Sequence, residues 1–219
     1  MSEHNPYYPL FLNLSGKKCT VLGGGQVALR KVTSLLKYFA MVTVISPRLC
    51  AGLRKLADDG KIKVISRPYR AGDLDGAVVA IVATSSDAVN NAATAEAREK
   101  KVPVNVVDNP GLSDFIVPSI VRRGNLTLAV STAGSSPALA RRIRRKLEQE
   151  FGTEYATLTR LVAEVRASLK KRKIKVSSMD WQDALDLDTL IGQLKQGQAG
   201  KTRETLLASL IKSKNKQRL

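Results

Sequence analysis

The sequence of 219 residues contains one histidine and two cysteines, and that scarcity limits its chemistry from the start. The lone His4 sits in the N-terminal arm, so a metal site built on imidazoles is ruled out. Cys19 and Cys50 each lie beside apolar stretches and read as buried, reduced thiols, not as a disulfide framework or a metal set. Acid–base chemistry must then come from carboxylates, lysines or tyrosines. Aromatic residues make up 5% of the chain, and none is interleaved with its basic runs. That disfavours single-stranded nucleic acid, whose bases stack on aromatic rings. No apolar run approaches the roughly 20 residues needed to cross a bilayer. The segment Met1 to Pro9 has neither the basic start nor the apolar core of a signal peptide. A cytoplasmic protein without membrane contact is the expectation.

Negative charge is scarce as well. Nineteen Asp and Glu face 36 Lys and Arg, a formal net charge of +17. Such a surplus creates a field that draws anions, without saying which. The run Arg141-Arg142-Ile143-Arg144-Arg145-Lys146 concentrates it on one expected helix. It reads either as a solvated face or as a sink for an acidic ligand.

What is present is a strong alternation of strand and helix patterns. Lys18–Leu22 reads as a buried strand, broken by Gly23-Gly24-Gly25. From Gln26 onward Val27, Ala28, Val32, Leu35 and Leu36 share one helical face. Met41–Ile45, Ile62–Ile65, Val78–Ala83 and Val102–Val107 read as further strands, with helices over 49–59 and 86–100. Leu10–Leu14 reads as an additional short strand. This order predicts an α/β fold: a Rossmann-type parallel sheet over residues 1–112. Phe115–Val121 and Leu126–Val130, around the turn Arg123-Gly124-Asn125, suit an antiparallel pair outside that sheet. With a helix from Ala138 to about Phe151 they form a small α+β segment, 113–150. Residues 151–219 read as an all-helical C-terminal domain, including helices over 181–194 and 204–211 and a frayed basic tail from Lys212.

The spacing Gly23-x-Gly25-x-x-Ala28 falls between a strand and a helix, the context that phosphate binding requires. The first glycine permits the turn, and the second leaves the backbone open to a pyrophosphate. The small Ala28 lets the helix lie close on the sheet, and the helix start offers free N–H groups. Gly23, Gly24, Gly25, Gln26 and Val27 are therefore expected to bind a dinucleotide of the NAD type. The acidic residue that usually ends the second strand is missing; Ser46, Pro47 and Arg48 stand there. Ser46 could meet a ribose hydroxyl and Arg48 a 2′-phosphate, which keeps NADP open. Thr84, ahead of Ser85 and Ser86, reads as helix capping or as a further wall of the cofactor site. Asp108 ends a strand on the same sheet edge. It reads equally as a proton-handling carboxylate or as an Asx turn before Pro110. No metal ligands stand out.

Taken in order, these pieces resemble the precorrin-2 dehydrogenase / sirohydrochlorin ferrochelatase family, which includes the N-terminal part of sirohaem synthase. The resemblance rests on Tyr8–Leu14, Val21–Lys31, Val42–Pro47, Asn105-Val106-Val107-Asp108, Phe115–Ser119 and Gly134–Arg141, about residues 7–150 in all. It implies NAD⁺-dependent oxidation of precorrin-2 to sirohydrochlorin, with Fe²⁺ insertion added in some members. It also implies a homodimer through residues 113–150 and a key aspartate at Asp108. Thr132 stands where some members carry Ser, so no role is carried over to it. The chain stops where sirohaem synthase continues into a methyltransferase domain, so uroporphyrinogen methylation is expected from another protein. The alternative reading is a Rossmann-type redox or ligand sensor binding nucleic acid or a protein partner through its basic helices. Such a sensor has no need of Asn105-Val106-Val107-Asp108.

Overall fold

The structure, a computed structural model, describes residues 7–216, with side chains to Ile211. His4 and the last three residues lie outside the described residues. The chain divides into two compact units, Met1–Val117 and Pro118–Leu219.

The first unit is built on a five-stranded parallel sheet: β1 (Lys18–Leu22), β2 (Met41–Ile45), β3 (Lys63–Ile65), β4 (Val79–Val82) and β5 (Val104–Val106). The strand order is β3-β2-β1-β4-β5, so the chain reverses direction across the sheet between β1 and β4. All four residues of β4 and the last four of β1 are buried, as strands covered on both faces must be. On one face α1 (Gln26–Leu36) and α2 (Ala51–Asp58) cover the sheet. Ala28, Val32, Leu35 and Leu53 pack there with Cys19, Val21, Val44 and Ile81. On the other face α3 (Asp87–Glu99) sets Ala93 and Ala97 against Leu22, Val82, Val104 and Val106. Alanines at these points let the helix approach closely while keeping high helix propensity.

The buried Glu96 ties the loop before β4 to α3, and an ion pair braces the loop itself. Glu96 accepts hydrogen bonds from the Tyr69 hydroxyl and from the Leu74 backbone N–H at 3.0 Å. Burial and the neighbouring Glu96 carboxylate both push the Tyr69 hydroxyl up from its ordinary value, so it stays protonated and donating. Arg67 grips Asp73 through two bonds of 2.8 and 2.7 Å.

The expected strand Leu10–Leu14 does not form; the segment is irregular. An apolar run becomes a strand only where a sheet edge accepts its backbone bonds. β1, which follows it, is already paired on both sides. Only Leu14 packs on the core, while Leu10, Phe11 and Leu12 stay exposed. Cys19 is buried as expected, and burial raises its thiol to about 11. Cys50 is only half-buried.

The second unit opens with an antiparallel hairpin, β6 (Ser119–Arg123) and β7 (Leu126–Val130). Gly124 takes φ +58° in its turn, a conformation glycine adopts freely. Phe115–Pro118 stay outside the hairpin, because Pro118 has no N–H to donate. Helix α4 (Pro137–Glu150) and α5 (Glu154–Lys171) follow, and α5 packs on both hairpin strands. The expected helix over 181–194 is two, α6 (Ser178–Ala184) and α7 (Leu187–Lys195). They part where Asp186 caps α7, its side chain accepting from the Thr189 N–H. Helix α8 (Ala199–Lys216) begins before the expected 204. Leu158, Val165, Leu169, Leu190, Leu206 and Leu210 form the core of this bundle.

Trp181, the sole tryptophan, packs against that core and reports on it. Replacing the fully buried Leu206 by Ala should lower stability by about 2–5 kcal/mol through the cavity left behind. Denaturant unfolding followed by Trp181 fluorescence measures this; an unchanged midpoint would show that the bundle does not depend on this core.

Candidate cofactor site and its carboxylate

The three glycines after β1 are held by different forces. Gly23 donates its N–H to Ile45 O at 3.0 Å and takes φ +114°. A Cβ there would lie 2.2 Å from Ala83 O, at the end of β4. At Gly24 a Cβ would come within 1.8 Å of Arg48 O and 2.7 Å of Ser46 Oγ. The Gly24 carbonyl accepts from Cys50 N–H at 2.7 Å and so anchors the start of α2. Gly25 differs from both: a Cβ there would meet nothing within 4 Å. It is the N-cap of α1, with no side chain capping the helix and no acidic residue in the first turn. The positive end of α1 therefore faces open space across a residue without a side chain. Gln26 is exposed beside it and Val27 half-buried. This arrangement fits a pyrophosphate, which needs N–H donors, positive potential and room for close approach.

The other expected contacts surround this turn. Ser46 is buried; its hydroxyl donates to Arg48 O at 2.7 Å and accepts from Arg48 N–H at 3.4 Å. The proton of Ser46 is spent inside the loop, so this residue shapes the wall behind Gly24. Pro47 and Arg48 are exposed on the same loop. Thr84 follows β4, donating to Asn90 Oδ1 at 2.9 Å and accepting from Ser86 N–H at 3.2 Å. Capping of α3 itself falls to Ser86, which accepts from Val89 N–H.

Asp108 lies just past the end of β5, at the carboxyl edge shared with the glycine turn. It is exposed and takes φ +59°, a left-handed conformation uncommon outside glycine. The Asx turn weighed for it is made by its neighbour, because Asn109 Oδ1 accepts from Leu112 N–H at 3.2 Å. Among the described residues, no hydrogen bond occupies the Asp108 carboxylate.

Two residues here received no role from the sequence. Lys31 on α1 donates from Nζ to Asn105 Oδ1 at 3.4 Å, and Asn105 Nδ2 donates to Phe115 O at 2.9 Å. Burial and Arg30 pull the Lys31 ammonium down from its ordinary value, while Asp108 supports it. A readable signal existed: Lys31 follows Ala28 by three and precedes Leu35 by four, so a charge sits beside the core stripe.

In the second unit, Thr132 closes a local turn, donating to Ser136 O at 3.0 Å and accepting from its N–H at 3.1 Å. On α4, Arg144 pairs with Glu148, while Arg141, Arg142, Arg145 and Lys146 are exposed. Among the described residues, no group of three or more His, Cys, Asp or Glu side chains could hold a metal ion. Nor is any described helix long and apolar enough to cross a membrane.

Comparison with known proteins agrees with this geometry. The NAD(P)-binding family model matches residues 10–119, and the model for the central part of sirohaem biosynthesis proteins matches 123–150. The chain belongs to the precorrin-2 dehydrogenase and sirohaem synthase family. Its cofactor is accordingly NAD. Sirohaem synthase of Methylobacillus flagellatus is 44% identical over 164 residues, covering 75% of this chain and 35% of that protein. The enzyme of Azotobacter vinelandii is 36% identical over 206 residues, 93% of this chain and 44% of its own length. The chain thus spans roughly a third to under half of these curated relatives. The solved structure of SirC, a precorrin-2 dehydrogenase, superposes with a TM-score of 0.66 at 26% identity, covering 93% of this chain and 98% of that one.

The glycines can be told apart by substitution. Gly25→Ala should fold with unchanged stability and lose NAD affinity by about tenfold, since its methyl enters only the ligand's space. Gly24→Ala should destabilise the unit by about 1–3 kcal/mol, because its methyl strikes the Arg48 carbonyl. Thermal melting and NAD titration separate the two; full NAD affinity in Gly25→Ala would remove the pyrophosphate from this turn.

Proposed function

We propose that this chain oxidises precorrin-2 to sirohydrochlorin with NAD⁺. The observation that carries the reading is one sheet edge holding both a glycine turn open at Gly25 and an exposed, left-handed Asp108. Family membership gives the edge its substrate class.

The oxidation removes a hydride and a proton from the tetrapyrrole. Bound NAD⁺ supplies the hydride acceptor. The chain's own residues do the rest. Gly23, Gly24, Gly25, Gln26 and Val27 hold the pyrophosphate at the N-terminus of α1. Ser46, Pro47 and Arg48 border the adenosine side, and Thr84 fixes the end of β4 next to Ala83. The Asp108 carboxylate takes the proton that the substrate releases, and no histidine is needed. Precorrin-2 carries eight carboxylates, and the chain's formal charge of +17 favours its capture.

Residues 113–150 form the homodimer contact on this reading. In support, Leu139 and Ile143 are exposed on α4, and most of the hairpin is only half-buried. Residues 1–112 act as the cofactor domain and 151–219 as a helical domain, in the cytoplasm.

An anaerobic assay with precorrin-2 and NAD⁺, with and without Fe²⁺, tests the proposal. NADH and the sirohydrochlorin chromophore should appear in equal amounts without metal. Asp108→Ala should cut turnover by about 10²–10⁴-fold and leave NAD binding intact. A fully active Asp108→Ala enzyme would remove Asp108 from the chemistry.

A further inference from the structure

We propose that Ser113 is the positioning residue for Asp108: its hydroxyl ties Val106, before Asp108, to Asn109, after it, and so holds the Asp108 backbone left-handed at the sheet edge. The proposal rests on the role given to Asp108 above.

β5 is an outer strand, paired with β4 on one side. Its backbone groups on the other side still need partners. Where a sixth strand would lie, residues 113–114 run back past β5 and supply side chains instead. The Val104 N–H donates to Asp114 Oδ2 at 3.0 Å, and the Val106 N–H donates to Ser113 Oγ at 2.9 Å. The Asp114 N–H returns to Val104 O at 2.8 Å. The outer edge of β5 is thereby closed by one carboxylate and one hydroxyl.

The two side chains differ in what else they hold. Asp114 is exposed and ties Val104, near the start of β5. Ser113 is half-buried and reaches into the turn that carries Asp108. Its one proton has two carbonyl acceptors, Asn109 O at 2.8 Å and Val106 O at 3.1 Å. A single oxygen therefore joins the backbone on both sides of Asp108. A hydroxyl suits this place because it accepts and donates at once, which neither a carboxylate nor an ammonium can do.

The rest of the turn is built around that link. The Val107 N–H donates to Val82 O at 2.9 Å, and the Asn109 N–H returns to Val106 O at 3.2 Å. Asp108 lies between them at φ +59°. Beyond it the Leu112 N–H donates to Asn109 Oδ1 and the Ser113 N–H to Pro110 O. A left-handed conformation is unfavourable for a residue with a Cβ and persists only where its surroundings over-determine it. Without the Ser113 hydroxyl, the Asn109 carbonyl is released and Asp108 relaxes to an ordinary conformation, which swings its carboxylate away from the place it holds. A carboxylate fixed through its backbone meets a substrate proton with less loss of freedom.

The hold on Asp108 can be read without substrate. NMR backbone couplings of the free protein should show Asp108 left-handed in the wild type and in Ser113→Thr, which keeps the hydroxyl, and no longer so in Ser113→Ala. A left-handed Asp108 in Ser113→Ala would overturn the proposal, whatever the enzyme's activity. With precorrin-2 and NAD⁺, Ser113→Ala should lower kcat roughly 10- to 100-fold while KM changes little, and Ser113→Thr should restore most of it. Asp114→Ala removes a bond from the same strand edge but none from the turn of Asp108, so its kcat should stay within about twofold of the wild type. An equal loss of kcat in Asp114→Ala would mean general loosening of the edge and overturn the proposal. If Ser113→Ala does not fold, Ser113→Cys, which keeps the side chain's shape and weakens its bonds, takes its place with the same readings. Wild-type protein that forms no NADH would instead overturn the dehydrogenase reading, leaving the Asp108 couplings to decide what Ser113 holds.

Discussion

At the point where β1 and β4 part, the backbone passes so close to itself that side chains are excluded. Gly23 lies against the end of β4, and Gly24 lies against the loop after β2. Both contacts are to carbonyl oxygens of the main chain, which cannot move aside as a flexible side chain could. The start of α1, the anchoring of α2 through Gly24 O and Cys50, and the opening at Gly25 all depend on that approach. The crevice is there because parallel strands reverse their order at this place, and ligands of such sheets bind outside the strands' carboxyl ends.

The same edge gathers the polar chemistry from distant parts of the sequence. Lys31 comes from the helix after β1, Asn105 from β5, and Asp108 from the turn beyond it. With a single histidine in the chain, acid–base work falls to carboxylates, lysines or tyrosines. The half-buried Lys31 of α1 meets Asn105 of β5 across 74 residues of chain. The buried Glu96 is a contrast: its oxygens are committed to Tyr69 and Leu74, so it serves structure only.

Charge is unevenly divided between the two units. Residues 118–219 hold 21 Lys and Arg against 9 Asp and Glu, a net of +12 out of the chain's +17. Much of it lies on exposed helix positions of α4 and the end of α5, where Lys170, Lys171, Arg172 and Lys173 follow one another. Cations at helix C-termini complement the dipole, so some of this charge stabilises the helices themselves. The remainder raises the local concentration of anions, as the proposed polycarboxylate substrate requires.

The sequence alone determined the alternation of strands and helices, the glycine turn between β1 and α1, and Asp108 at a strand end. These features are periodic or local, and their physics acts over a few residues. It misplaced Leu10–Leu14, because apolar character does not say whether a sheet edge is free. It joined α6 to α7, because a capping aspartate inside an apolar pattern is easily passed over. Only the tertiary structure decided which glycines are forced by backbone contact and which one is open. Only the folded structure decided, too, that Asn109 makes the turn while Asp108 keeps its carboxylate exposed, and that Lys31 meets Asn105. Those outcomes depend on approaches between strands far apart in the chain, which spacing along a sequence does not encode.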